Sequence, residues 1–194
     1  MADKLRLGVC LCGSFCTFSQ VIPQIGNLAE VYDVTPIMSE AAYQTDTRFG
    51  KAEDFIKELE EMSGKKVLHT IAQTEPIGPK GLLDILLVAP ATGNTLAKLS
   101  CGIADSAVTL AVKAHLRNER PVILAPSTND ALGSAAKNIG ALMDHKHVYF
   151  VPFRQDHPSG KPRSMVADMT LLLPTVRAVE AGEQIQPIIL GHKK

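Results

Sequence analysis

Ala89-Pro90-Ala91-Thr92-Gly93-Asn94-Thr95-Leu96-Ala97-Lys98-Leu99-Ser100-Cys101-Gly102-Ile103-Ala104-Asp105 is the stretch that decides the architecture. It continues the apolar run at 84–89 (DILLVA). A continuous rather than alternating apolar run predicts a strand covered on both faces, as in a parallel sheet. Pro90 ends the run, because proline cannot donate to a sheet ladder. Small polar residues then lead into a short helix at 95–99. Strand, polar corner and helix in that order make one half of a βαβ unit.

The same grammar recurs outward in both directions. Apolar runs at 5–11, 31–38, 122–125 and 148–151 stop at Gly13-Ser14, Ser39, Pro126 and Pro152. Helical patterns lie between them. Phe55, Ile56, Leu59 and Met62 form one stripe that stops at Gly64. The segment 106–117 is apolar nearly all round, with Asp105 at its start and Lys113 and Arg117 near its end, which suits the helix dipole. Such a helix is either central or partly covered by a second copy of the chain. Segments 132–143 and 165–180 read as two more helices, the last kinked or split by Pro174. The expected fold is α/β, a three-layer sandwich with a doubly wound, mostly parallel sheet, in one domain spanning residues 1–194.

Composition narrows the function. The 194 residues carry 20 Lys and Arg against 20 Asp and Glu, with 45% hydrophobic and 21% charged residues. That is globular composition, not disorder. Zero net charge argues against nucleic-acid or anionic-membrane partners and favours self-association. No window approaches the roughly 18 apolar residues of a membrane span. The start lacks signal-peptide character, so a cytoplasmic location is expected. Cys10, Cys12, Cys16 and Cys101 lack the second pair that zinc spacing requires. No metal is expected, and the thiols read as buried and structural in a reducing compartment.

The chemistry sits at the strand ends. Gly13-Ser14-Phe15-Cys16-Thr17, Ser39-Glu40-Ala41, Pro90-Ala91-Thr92-Gly93-Asn94-Thr95 and Pro126-Ser127-Thr128-Asn129-Asp130 fall along one edge of a parallel sheet, where ligands bind. Their hydroxyls cap helices and leave backbone N–H groups for a phosphate. There is no G-x-G-x-x-G and no G-x-x-x-x-G-K-[ST], so a mononucleotide with one phosphate fits better than a dinucleotide or a nucleoside triphosphate.

The run P-A-T-x-N-T-x-A-K-x-x-x-G-I-A-D resembles the central motif of the flavoprotein family, which holds FMN-containing cysteine decarboxylases, phosphopantothenoylcysteine decarboxylase and flavin prenyltransferases. The resemblance covers residues 5 to 180. It implies a Rossmann-like flavoprotein fold and FMN as cofactor. Gly13 and Ser14 would approach the flavin phosphate and Ser39 would bond it from the second loop. Thr92, Asn94 and Thr95 would continue the pocket beside phosphate and ribityl chain, with Ser106 a weaker member. It also implies a homo-oligomer, trimer or dodecamer, with flavin between protomers. The loop with Asp46, Arg48 and Phe49 is a candidate contact there.

The sequence departs from the decarboxylase pattern. That branch's histidine would fall near Glu75-Pro76, where none stands, and His69 lies earlier and reads as structural. The family's P-A-M-N loop is Pro126-Ser127-Thr128-Asn129 here. The late stretch from His157 to Met165 has no substrate-clamp cysteine. It offers cations instead: Arg154, Lys161, Arg163 and His157. Asn129, Arg163 and Lys161 are therefore candidates to hold a substrate carboxylate, on a glycine-bearing loop able to act as a lid.

V-C-L-C-G-S-F-C-T-F and A-P-S-T-N-D-A-L-G carry a closer match within the family. That closer resemblance implies oxidation of a planar dihydropyridine dicarboxylate beside a separate nicotinamide-binding protein, with NADP or NAD expected on that partner. No general base is evident among the residues. The alternative expectations are an FMN-dependent decarboxylase, a flavin prenyltransferase and a non-catalytic flavin-binding or scaffold protein.

Overall fold

In a computed structural model describing residues 4–191, the apolar runs become strands of one seven-stranded sheet. Five are parallel: β1 (Arg6–Leu11), β2 (Asp33–Met38), β3 (Ile85–Ala91), β4 (Val122–Thr128) and β5 (Val148–Phe150). Their spatial order is β2-β1-β3-β4-β5, so the winding reverses between β1 and β3. β6 (Phe153–His157) and β7 (Lys161–Ala167) form an antiparallel hairpin, docked on the end of β4 through Ser127↔Val166 and Thr128↔Met165. The mostly parallel α/β fold expected from the sequence is the one formed.

Both central strands run past their prolines. β3 continues through Pro90 to Ala91, and its register with β4 shifts between Val88 and Ala91. β4 continues through Pro126. That proline stands between Leu124, which pairs with β5, and Ser127, which pairs with β7. A proline costs least where the ladder is already interrupted.

Helices pack in two groups. α1 (Phe18–Val31), α3 (Ala52–Ser63) and α8 (Leu172–Glu180) lie together, with α2 (Glu40–Gln44) beside α3; α4 (Ile71–Thr74), α5 (Gly93–Ser100), α6 (Ala107–Arg117) and α7 (Ala136–Met143) form the other group. α1 is absent from the sequence expectations because Pro23 sits inside it. Its buried residues Phe18, Val21, Ile22, Ile25 and Leu28 nevertheless fall at helical spacing. The last helix starts at Leu172, not 165, after a 3-10 turn. Pro174 thus lies in its first turn, where a missing N–H costs nothing, and no kink follows. α7 likewise starts at Ala136 rather than 132, because the backbone of 130–135 folds into turns on the Asp130 carbonyl.

The apolar helix α6 is covered by its own chain. Seven of its eleven residues are buried, against α4, α5 and the sheet, so it needs no second copy to shield it. It carries a buried imidazole, His115, whose Nε2 has no hydrogen-bond partner. Burial holds the imidazole pKa down at about 4, against the opposing pull of Asp84. The unfolded chain protonates this group near pH 6.5 and the folded chain resists until about pH 4. Stability linked to His115 is therefore intact above pH 6.5 and lost as pH falls toward 4. Between pH 8 and 5 the loss should be about 2 kcal/mol. Denaturant unfolding of wild type and His115→Leu at both pH values checks this, since the variant should lack that part of the fall.

Among the described residues no helix is long and apolar enough to cross a membrane, and no group of three His, Cys, Asp or Glu is placed to hold a metal ion. The expectation of four buried thiols holds for Cys10 and Cys12 only. Cys16 and Cys101 are exposed, because they lie on turns beyond the ends of β1 and α5 rather than within the sheet.

Candidate functional site

A cleft of about 1110 Å³ opens at the carboxyl ends of β1, β3 and β4. This is the crevice created where the winding reverses, the place where open α/β sheets bind ligands. Its size is above the roughly 300–1,000 Å³ usual for small-molecule sites.

The first wall follows β1. Gly13, Ser14 and the 3-10 turn Phe15–Thr17 line it. Thr17 Oγ1 donates to the Ser14 carbonyl at 2.7 Å, and the Ser14 and Ser127 hydroxyls share a hydrogen bond of 2.8 Å. That bond ties the loop after β1 to the end of β4, across β3.

Thr92, Gly93 and Asn94 form the second wall, at the start of α5. Thr92 is the N-cap, its Oγ1 accepting from Thr95 N–H at 3.2 Å. The other N–H groups of the first turn are left for a ligand. Gly93 is required by close approach: a Cβ there would lie 2.7 Å from Thr128 Oγ1 and 2.9 Å from Asp130 Oδ1.

Ser127, Thr128, Asn129 and Asp130 form the third wall. Thr128 Oγ1 donates to Asp130 Oδ1, and Ser134 Oγ donates to Oδ2 at 2.6 Å. These donors, Ser134 foremost, hold the Asp130 carboxyl below its ordinary range.

The hairpin is the fourth wall, contributing Arg154, Gln155, Asp156, Lys161, Ser164 and Met165. The two cations it brings to the cleft are already paired. Arg154 Nη2 meets Asp168 Oδ2 at 2.6 Å, and Lys161 Nζ meets Asp156 Oδ2 at 3.0 Å. The cleft is therefore lined by neutral donors, two ion pairs and one carboxylate, Asp130, held by hydroxyls alone.

Of the candidates from sequence, Gly13, Ser14, Thr92, Asn94, Asn129 and Lys161 line the cleft. Ser39, Thr95, Ser106 and Arg163 are not among its lining residues. Ser39 caps α2, accepting from Ala42 N–H at 3.3 Å. Thr95 is buried beneath Thr92, with the two hydroxyls 3.0 Å apart, and also bonds Cys12, whose thiol burial pushes up to about 11. Ser106 caps α6 in a reciprocal box with Thr109, outside the cleft. Asp105, which precedes that cap, accepts from Lys98 Nζ at 2.9 Å. Arg163 lies against Gly133.

The expected flexible lid is a paired hairpin, with Lys161 opposite His157 and Met165 opposite Gln155. Pro158 and Gly160 serve its turn, and Pro162 lies within β7. His69 stacks on Tyr43 with ring centroids 3.6 Å apart, and neither lines the cleft. Cleft residues not anticipated as ligands include Cys16, Gln20, Phe49, Asp130 and Ser164. Ser164 is buried in β7 after three exposed residues and beside buried Met165, so no alternation in the sequence marks it.

The flavoprotein family model matches residues 1–171. The chain belongs to the flavoprotein family. This flavoprotein is 44% identical over 188 residues to the B subunit of dipicolinate synthase from Bacillus subtilis (strain 168), covering 96% of this chain and 94% of that protein. The crystal structure of the dipicolinate synthase B subunit from Bacillus halodurans matches it with a TM-score of 0.89 at 39% identity, covering 98% of each chain. The FMN-dependent cysteine decarboxylase SpaF shares the fold, with a TM-score of 0.61 at 22% identity over 90% of this chain and 97% of that one.

FMN suits the cleft on the chemistry of its donors. The phosphate would meet the first-turn N–H groups of α5 and the hydroxyls of Ser14 and Thr92, which bind a dianion without a salt bridge.

Proposed function

We propose that this flavoprotein is the B subunit of a dipicolinate synthase, acting with a nicotinamide-binding A subunit to oxidise dihydrodipicolinate to dipicolinate during sporulation. The observation that carries this reading is the match to the dipicolinate synthase B subunit over 98% of both chains, long enough to take in the hairpin that walls the cleft.

Bound FMN supplies a two-electron acceptor. Gly13, Ser14, Thr92 and Asn94 hold its phosphate end by backbone N–H, hydroxyl and amide donors. Asn129, exposed on the third wall, offers its amide to a substrate carboxylate. Lys161 is weakened as a carboxylate ligand by its pairing with Asp156. Arg163, away from the lining residues, is set aside as a first contact.

The substrate loses a hydride and a proton as its ring becomes aromatic. Aromatisation drives the step, so a strong base is not demanded. Asp130 is a poor one, because two hydroxyl donors stabilise its anion. NADP or NAD on the partner protein gives the electrons an exit. The setting is the mother-cell cytoplasm of a spore-forming bacterium, and the flavoprotein works as a homo-oligomer, trimer or dodecamer.

Assay of dihydrodipicolinate oxidation with either protein alone and with both together tests the proposal. Activity should require both, and Asn129→Ala should lower it about tenfold, the value of one charge-assisted hydrogen bond. A colourless protein that cannot be reconstituted with FMN would overturn it.

A further inference from the structure

Of the hairpin cations expected to grip the substrate, Lys161 is paired with Asp156 and Arg163 is not among the residues lining the cleft, which leaves the recognition of an anionic ring without an obvious cation. The cleft has one more feature at its rim, the turn between α2 and α3. Phe49 on this turn lines the cleft and is 46% exposed. An exposed phenyl ring at the mouth of a polar cleft is unfavourable unless something covers it.

The ring is held in place by a built turn. Thr47 and Gly50 exchange backbone hydrogen bonds of 3.0 and 3.2 Å, and Phe49 N–H donates to Thr47 Oγ1 at 3.1 Å. Asp46 Oδ1 accepts from Ala52 N–H at 2.9 Å, which fixes the turn to the start of α3. Gly50 takes φ +147°, and a Cβ there would strike the Phe55 ring at 2.5 Å. The backbone is thus specified on both sides of Phe49.

Arg48 stands over this ring, its Cζ 4.8 Å from the centroid. Among the described residues it forms no ion pair. It differs in this from Arg154 and Lys161; unlike Arg163, it stands on the ring of a lining residue, Phe49, although it is not itself one of the lining residues. An exposed cation–π contact is weaker than a bidentate guanidinium–carboxylate bond, so Arg48 can leave the ring face for a carboxylate at little cost.

We propose that the Arg48–Phe49 turn recognises a planar ring bearing a carboxylate: Phe49 stacks on the ring and Arg48 takes the carboxylate. The ligand class is a pyridine-type dicarboxylate, and in this the inference rests on the dipicolinate synthase reading. The second carboxylate would fall to Asn129, which lines the same cleft as Phe49. Selectivity for two carboxylates over one would then come from this turn rather than from the hairpin.

The test titrates the full-length protein, loaded with FMN and mixed with its nicotinamide-binding partner, with pyridine-2,6-dicarboxylate and with pyridine-2-carboxylate. Binding is read from the flavin spectrum. Wild type should bind the dicarboxylate at least tenfold more tightly. Arg48→Gln should erase that difference by weakening the dicarboxylate about tenfold, and Arg48→Lys should restore part of it. Phe49→Ala should weaken both ligands alike, about fivefold to tenfold.

If both variants bind the two ligands as wild type does, the proposal is overturned while the dipicolinate reading stands. If Arg48→Gln loses FMN affinity instead, the turn serves the cofactor and the proposal is again overturned. If wild type binds neither pyridine carboxylate, the dipicolinate reading fails and takes the proposal with it.

Discussion

Gly93→Val is expected to reduce FMN affinity by about a hundredfold and to cost about 1–3 kcal/mol of stability, the usual range for overpacking. Even one added carbon at Gly93 would sit 2.7 Å from Thr128 Oγ1 and 2.9 Å from Asp130 Oδ1. Neither oxygen is free to retreat, since they bond each other and Ser134 holds Asp130 from the far side. The start of α5 must therefore swing away from the third wall, carrying the first-turn N–H groups off the phosphate. Flavin titration and thermal unfolding measure the two effects. Gly140→Ala, in open space on α7, is a control that should leave FMN binding intact. Thr128→Ala in a Gly93→Ala background should recover part of the affinity, because it removes the nearest obstructing atom. Unchanged FMN binding in Gly93→Val would mean that α5 does not carry the phosphate.

Arg154→Leu is expected to destabilise the protein by about 2–3 kcal/mol, a large share of the roughly 5–15 kcal/mol that holds a domain folded. The Arg154 and Asp168 side chains are only 15% and 11% exposed. Asp168 also accepts from Thr170, whose Oγ1 lies 2.7 Å from Oδ1, and so caps the 3-10 turn leading to α8. Removing the guanidinium leaves a nearly buried carboxylate at the junction of β7 and that turn. The denaturant midpoint should fall, and amide exchange in β6 and β7 should quicken more than in β1 or β3. Arg154→Lys should retain part of the stability by keeping the charge. A midpoint equal to wild type would show the pair to be fully screened.

The parallel strands and the order of helices are legible in the sequence because buried strands leave long apolar runs with abrupt polar ends. Part of the cleft lining is legible for the same reason: Gly13, Ser14, Thr92 and Asn94 stand where those runs stop. What is obscured has a local signal pointing the wrong way. Pro23 masks α1, although Phe18, Val21, Ile22, Ile25 and Leu28 keep helical spacing. The charges and glycine of 154–163 read as a loose loop, whereas cross-strand pairing turns them into a hairpin. Whether a cation is available cannot be seen in one dimension. Arg154 and Lys161 are spent on Asp168 and Asp156, while Arg48, which reads in sequence as an interface residue, has no ion-pair partner among the described residues.

The handover within β4 gives the two sides of the cleft separate upkeep. The side proposed to hold the cofactor hangs on β1 and β3, deep in the continuous sheet. The opposite side is a faceplate, fixed to β4 by two residue pairs, Ser127↔Val166 and Thr128↔Met165. A faceplate can be reshaped for a new substrate without recutting the socket behind it. Yet its mounting screw, Ser127, is also bonded to Ser14, so a shift of the plate is felt at the socket's rim.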